Sequence, residues 1–283
     1  MQKPTMFKAK GDNIDLQLAQ WGSGRKTLLC IHGLTANCRC WDRLIPALSG
    51  SHRVLGLDLR GRGLSGKPAE GYSLGHHVKD LRALLQDLEL QRVTLLGHSL
   101  GAYIAVAFAA CYPDMVERLI LLDGGGQLSQ KRWDSIETVI KPSLERLKNV
   151  FPSFEAYTQP LKEAPIFQPW TEFHETYFQH DVRKVDQGVR SRIDPAIIQQ
   201  EIADIRKKDV SVHYRDIACD VLILRATRGF LGQQDLLLPL HTVETMLQSI
   251  LNARELAVAD TNHFSILFDR HTDRDLAIRD FLK

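Results

Sequence analysis

Residues 93–112 read VTLLGHSLGAYIAVAFAACY, and their order decides the fold. The first four, Val93 to Leu96, are apolar without alternation, as a strand buried on both faces requires. From Ala102 to Tyr112 the chain is uncharged and mostly apolar over a length that suits a buried helix. Between them stands Gly97-His98-Ser99-Leu100-Gly101, a G-x-S-x-G. A strand turning this sharply into a helix forces its central residue into strained backbone, and flanking glycines remove the side chains that would clash. Ser99 is thereby presented at the carboxyl end of a sheet. The positive end of the helix, with the Leu100 amide, faces the place where negative charge would develop. The plain alternative is a serine N-cap in a glycine-tolerant turn.

Working outward, similar apolar runs recur: Thr27 to Ile31, Val54 to Leu59, Leu119 to Leu122, Val221 to Leu224 and Leu256 to Ala259. Amphipathic stretches separate them. Val78 to Leu90, for example, carries apolar residues at 78, 81, 84, 85 and 88, the spacing of one helical face. Strands alternating with helices indicate βαβ units and a doubly wound, mostly parallel sheet of the α/β class. Ahead of them, Ile14, Leu16 and Leu18 alternate with polar residues as in a half-buried antiparallel strand, and Gly11-Asp12-Asn13 supplies the turn before it.

The rhythm breaks once, from Gln127 to Cys219. This stretch holds six of the 11 prolines and ten of the 21 aromatics, and no convincing buried strand. Disordered linkers are poor in aromatics, so the segment reads as a helical cap inserted into the sheet domain. The expected division is a core of residues 1–125 and 220–283, with a cap over 126–219. Its 14 basic and 14 acidic residues balance, so it sets up no steering field.

Composition narrows the function. Of 283 residues 44% are hydrophobic and 25% charged, and 36 Lys plus Arg against 34 Asp plus Glu leave a formal charge of +2. Nucleic-acid binding calls for a clustered basic excess that is absent here. The longest uncharged apolar run, Gly101 to Tyr112, falls short of the roughly 18 residues of a membrane span, and MQKPTMFKAKGDN lacks the apolar core of a signal peptide. Five cysteines without a CxxC pair read as free thiols, which points to a cytoplasmic protein.

A serine hydroxyl needs a base. Among 11 histidines, His263 in Asp260-Thr261-Asn262-His263-Phe264 follows the last apolar run and so also stands at the carboxyl end of the sheet. His241, His271, His76 and His77 fit helix starts or charged surface. The base in turn needs an acid to fix its tautomer. Two carboxylates compete. Asp123 ends the run Leu119–Leu122 directly, and Asp235 follows Val221–Leu224 after a long loop. The sequence favours Asp235, because its loop has the reach and Gly124-Gly125-Gly126 looks like a flexible exit into the cap. Gly33, in His32-Gly33-Leu34, lets the Leu34 amide turn into the site as a second oxyanion donor. Asp58-Leu59-Arg60-Gly61-Arg62-Gly63-Leu64-Ser65 lacks the Walker spacing and lysine, so its glycines shape a turn.

Together these motifs resemble the α/β-hydrolase superfamily. The matches are HGLTAN at 32–37, DLRGRGLS at 58–65, GHSLG at 97–101, the G-x-x-D-x-x-x-P of Gly232, Asp235 and Pro239, and NHF at 262–264. They run in the order nucleophile, acid, histidine, and cover the chain except the cap. The resemblance implies Ser99 as nucleophile, Asp235 as acid (Asp123 as the alternative), His263 as base, and the Leu34 and Leu100 amides as oxyanion hole. It also implies an enzyme without metal or cofactor.

The expected activity is hydrolysis of a small carboxylic ester through an acyl-enzyme. Serine at the elbow disfavours the dehalogenase and epoxide-hydrolase branches, which place a carboxylate there. Carbon–carbon bond hydrolases, lactonases, thioesterases and amidases share the same triad and stay open, as does a ligand receptor on the same fold. The expected partner is a small molecule with an apolar acyl or aromatic portion, set by the cap aromatics unless these only pack the cap's own core. Arg183, Arg190 and Arg192 could meet a substrate carboxylate, or simply form a solvated face.

Overall fold

The run Val93–Leu96 extends by two residues into the strand Val93–His98, and every residue of it is buried. The computed structural model describes residues 2–50, 52–229 and 235–283. In chain order its strands are β1 (Thr5–Lys10), β2 (Asp15–Trp21), β3 (Lys26–Ile31), β4 (His52–Leu57), β5 (Val93–His98), β6 (Val116–Leu122), β7 (Val182–Val185), β8 (Gly188–Ser191), β9 (Asp220–Ala226) and β10 (Ala253–Val258). The helices are α1 (Ile45–Leu48), α2 (Leu74–Asp87), α3 (Leu100–Cys111), α4 (Gln130–Lys148), α5 (Phe154–Glu163), α6 (Glu172–Asp181), α7 (Pro195–Ile205), α8 (Leu240–Ser249), α9 (Ser265–Phe268) and α10 (Thr272–Phe281).

Among the described residues eight strands form one sheet in the order β1-β2-β4-β3-β5-β6-β9-β10. From β4 to β10 the pairings are parallel, whereas β1 and β2 pair antiparallel at one edge. This is the doubly wound architecture that the apolar runs predict.

Successive residues of a strand face opposite sides, and both sides are filled here. Leu29, Leu95 and Leu121 join one buried cluster with α2 and α3, while Leu28, Leu96 and Leu122 join another with α10. Helices covering both faces explain why these strands show no polar alternation. Strand β4 stops at Leu57, two residues short of the expected Leu59. Asp58 there turns its side chain back to accept hydrogen bonds from the Cys38 and Leu64 amides.

Between β6 and β9 the chain leaves the sheet for α4 to α7. One feature there was not expected: β7 and β8 form a separate antiparallel hairpin. Each strand has four residues, and Arg183, Lys184 and Arg190 are not buried. So short an alternation carries too little periodic signal to read from sequence.

Candidate active site

Ser99 links β5 to α3 with φ 54° and ψ −120°, a conformation that costs an L-residue about 1–3 kcal/mol and persists only where surroundings enforce it. The enforcement is visible in the flanking glycines. A Cβ on Gly97 would lie 2.3 Å from the Gly101 carbonyl oxygen, and one on Gly101 would lie 1.9 Å from that of Ile31. No side chain fits at either position. The Ser99 amide donates to the Leu122 carbonyl at 3.2 Å, which ties the elbow to the end of the next strand.

That strand end carries a buried carboxylate. Asp123 follows β6 with φ 44° and is buried, and its amide donates to the Leu224 carbonyl at 2.8 Å. Its Oδ1 accepts the Ala226 amide at 3.1 Å, and its Oδ2 lies 2.7 Å from His263 Nδ1. A carboxylate only accepts, so Nδ1 carries the proton and Nε2 is left as the basic nitrogen. His263 is itself buried in the turn after β10, where Asn262 Oδ1 accepts the amides of Phe264 and Ser265 and so shapes the start of α9.

This contact is made by Asp123, the alternative to the preferred Asp235. Asp235 is half-buried just ahead of Leu236–Leu238, and Gly232 of its G-x-x-D motif lies outside the described residues. The carboxylate that meets His263 Nδ1 is the one read as the alternative. Nor is Gly124-Gly125-Gly126 a flexible exit. All three are buried, the Gly126 carbonyl accepts the Tyr103 hydroxyl at 2.6 Å, and that of Gly125 accepts the Tyr214 hydroxyl at 2.9 Å.

His98 stacks on His263 with ring centroids 4.5 Å apart, and its Nε2–H donates to the His263 carbonyl at 3.0 Å. Burial, and then the neighbouring His263, hold the His98 pKa well below its usual range. It stays neutral and braces the base without opposing a positive charge on it.

Leu34 and Leu100 line one small cavity of about 50 Å³ with Ser99. The Leu34 loop begins at Gly33, whose added Cβ would lie 3.1 Å from that of Ser99. Arg62 fixes this loop from behind, with Nε and Nη2 donating to the Leu34 carbonyl at 3.1 and 2.9 Å. The same buried guanidinium pairs with Glu201 of α7, whose Oε1 also lies 2.7 Å from His77 Nε2. The Leu34 loop is thus held by a buried arginine that a glutamate of α7 neutralises. Sequence reasoning took Arg62 as part of a turn and passed over Glu201; only the fold brings them together.

Ser99, His98 and His263 also line a cavity of about 120 Å³ that α4 and α6 help to wall. Its other walls include Ile136, Ile140, Phe167, Phe178, Phe264 and Phe268, with Arg146 of α4 among them. Phe167 and Phe178 thus face the cavity while also packing on other aromatics, as Trp170 stacks on Phe178 at 5.6 Å. Elsewhere among the described residues, Cys38, Asp58 and His180 bring metal-ligating atoms within 4.8 Å of one another. The carboxylate oxygens of Asp58 are already taken by the amides of Cys38 and Leu64 and by His180 Nε2 at 2.7 Å. The cluster ties α6 to the loop after β4.

Residues 26–269 match the family model described as alpha/beta hydrolase fold. The chain belongs to the α/β-hydrolase family. Among relatives of this α/β hydrolase, the 2-(acetamidomethylene)succinate hydrolase of Mesorhizobium japonicum is 28% identical over 222 residues, 75% of this chain and 74% of that one. A serine hydrolase-like protein of Mus musculus is 27% identical over 268 residues, covering 88% and 86%. Among solved structures, that of E-2-(acetamidomethylene)succinate hydrolase superposes with a TM-score of 0.86 at 24% identity, covering 99% of both chains. A thioesterase domain from the curacin biosynthetic pathway reaches 0.75 at 20% identity. At these identities the structural likeness shows the fold. No described helix is long and apolar enough to cross a membrane.

Proposed function

We propose that this α/β hydrolase is a serine hydrolase that cleaves a small carboxylic ester through an acyl-enzyme. The observation that carries the reading is the 2.7 Å contact between His263 Nδ1 and Asp123, in a cavity shared with the strained Ser99. With Nδ1–H held by Asp123, Nε2 takes the Ser99 proton as Oγ attacks the carbonyl carbon. The oxyanion that forms is stabilised by the Leu34 and Leu100 amides at the positive end of α3. The imidazolium is stabilised by Asp123 and returns its proton to the leaving alcohol. Water then cleaves the acyl-enzyme by the same path.

The segment 126–219 acts as a cap that shapes the acyl pocket, and the apolar walls suit an apolar or aromatic portion of the substrate. A name that specifies a succinate, as in the Mesorhizobium relative, adds acidic acyl groups to the substrates worth testing.

The experiment is steady-state turnover of a panel of alkyl and p-nitrophenyl esters, alongside thioesters, lactones and vinylogous carbon–carbon substrates. Sustained ester turnover that outpaces the other classes supports the reading. Tight binding with a single covalent turnover would instead mark a ligand receptor, and faster cleavage of another class would move the activity there.

A further inference from the structure

A buried guanidinium whose N–H groups find no acceptor needs a physical account. An arginine presents five donors, and buried donors left unmade each cost about 1–3 kcal/mol, more for charged groups. Arg146 on α4 is such a group. Its side chain is 15% exposed, and no hydrogen bond to it is present among the described residues; Nε and Nη1 are fully buried and unbonded.

Its carboxylate neighbour does not use those donors. Asp181 Oδ2 lies 3.6 Å from Nη1, an ion pair outside hydrogen-bond reach. The two Asp181 oxygens instead accept hydroxyls, Oδ1 that of Ser191 at 3.0 Å and Oδ2 that of Tyr157. What holds Arg146 in place is aromatic: its guanidinium stacks over Tyr157 at 4.8 Å and Phe178 at 5.8 Å. These contacts pin the plane of the fork and leave its N–H edge unspent.

That residue lines the same cavity as Ser99 and His263. Among the described lining residues Arg146 is the one with a permanent charge, and none is acidic. Besides the two histidines and a few hydroxyls the walls are apolar, so an anion there would meet one oriented cation in a low-dielectric space, where charge-assisted pairs are strongest. Arg183, Arg190 and Arg192, the cations singled out from sequence, line a different pocket with Lys67.

Resting on the serine-hydrolase reading of Ser99, we propose that Arg146 is a specificity-determining residue. It receives a carboxylate carried by the substrate on the acyl side of the scissile bond. The preferred substrates are then half-esters of small dicarboxylic acids. The planar fork matches a carboxylate with two parallel N–H···O bonds. A neutral substrate leaves the fork unpaired, which is the arrangement that discriminates most strongly.

The test uses the whole chain and monoethyl esters of C4 to C6 dicarboxylic acids, each matched with the ester whose free acid is replaced by a carboxamide. Acid release in a pH-stat gives kcat/KM for each member of a pair. The expected acid-to-amide ratio is at least about tenfold in the native chain, since a charged pair carries more than 1.4 kcal/mol. Arg146→Gln should bring that ratio to about one, and Arg146→Lys should recover part of it.

Calorimetry with the free C4 to C6 dicarboxylates, against their diamides, gives a second readout that needs no turnover. A ratio near one in the native chain, or one that Arg146→Gln leaves untouched, overturns the assignment while ester hydrolysis still stands. Dicarboxylate binding that depends on Arg146 in a chain that hydrolyses no ester supports the subsite and sinks the esterase reading instead. Should Arg146→Gln not fold, the native ratio and the Lys variant decide.

Discussion

Asp123 and His263 stand 140 positions apart in sequence and 2.7 Å apart across the carboxyl ends of β6 and β10. Asp123 reaches this position by a left-handed turn (φ 44°) immediately after its strand. Its second oxygen is fixed by the Ala226 amide, so the carboxylate turns its remaining edge to His263.

From this geometry, Asp123→Asn should keep the shape of the site but allow the wrong imidazole tautomer, lowering kcat by roughly 10⁴. Asp235→Asn should cost at least about a hundredfold less, because the orienting bond to Nδ1 stays in place. Measuring kcat for the two variants on one ester settles the order. A larger loss at Asp235 would return the acid role to it.

The contrast between these two carboxylates shows how far the sequence was legible. Buried strands were readable because both sheet faces are covered, so Val93–Leu96 and Val221–Leu224 stand out as unbroken apolar runs. The elbow was readable because its glycines answer a local clash, which leaves a mark five residues long. The carboxylate that meets His263 was not, since which strand end faces that histidine depends on strand order in space. Gly124-Gly125-Gly126 misled for a related reason: its glycines are small because a Cβ on Gly124 would lie 2.7 Å from the Ser99 carbonyl oxygen. The motif around Arg62 showed only a turn and Glu201 left none, for the two meet 139 residues apart; Arg146 left none either, since only the fold brings it to the cavity.

Ser99→Ala should remove the nucleophile while sparing the fold, because α3 starts on buried apolar packing and the serine side chain makes no capping bond. The expected loss in kcat is at least about 10⁴-fold, with the residue supplied by binding and the oxyanion amides. A fluorophosphonate probe should label the native chain once and the variant not at all. Retention of more than a tenth of native kcat would place the nucleophile elsewhere.

Thiol reactivity should separate the cysteines by burial. Cys111, at the end of α3, is exposed, while Cys30, Cys38, Cys40 and Cys219 are buried. Burial raises the pKa of Cys219 to about 11 and holds Cys38 and Cys40 well above the ordinary thiol range, so little thiolate forms there at neutral pH. Native protein should therefore release about one equivalent of chromophore quickly from a disulfide reagent, and Cys111→Ser should abolish that phase. Fast loss of further thiols without unfolding would contradict the packing around Cys38 and Cys40.

The buried carboxylates of Glu201 and Asp58 should make stability fall in acid. Burial alone would raise the pKa of Glu201, but Arg62 and then His77 outweigh it and bring it from 4.5 down to about 2. Burial likewise opposes ionisation of Asp58, and His180 and His32 overcome it, taking it from 3.8 to about 2. Both folded values are depressed, so in the acid range the unfolded chain binds more protons than the folded one. The stabilisation is then complete above about pH 4.5 and is lost as pH falls from there toward 2. Each group adds about 1.4 kcal/mol per pH unit to the slope in that window. Glu201→Gln deletes one of the two and leaves the Arg62 charge buried against the Leu34 carbonyl, a loss of about 3–5 kcal/mol at neutral pH. Urea midpoints measured from pH 2.5 to 7 should show the variant less stable throughout and its acid limb shallower by about one proton. An unchanged slope would mean that Glu201 is not ionised in the folded chain.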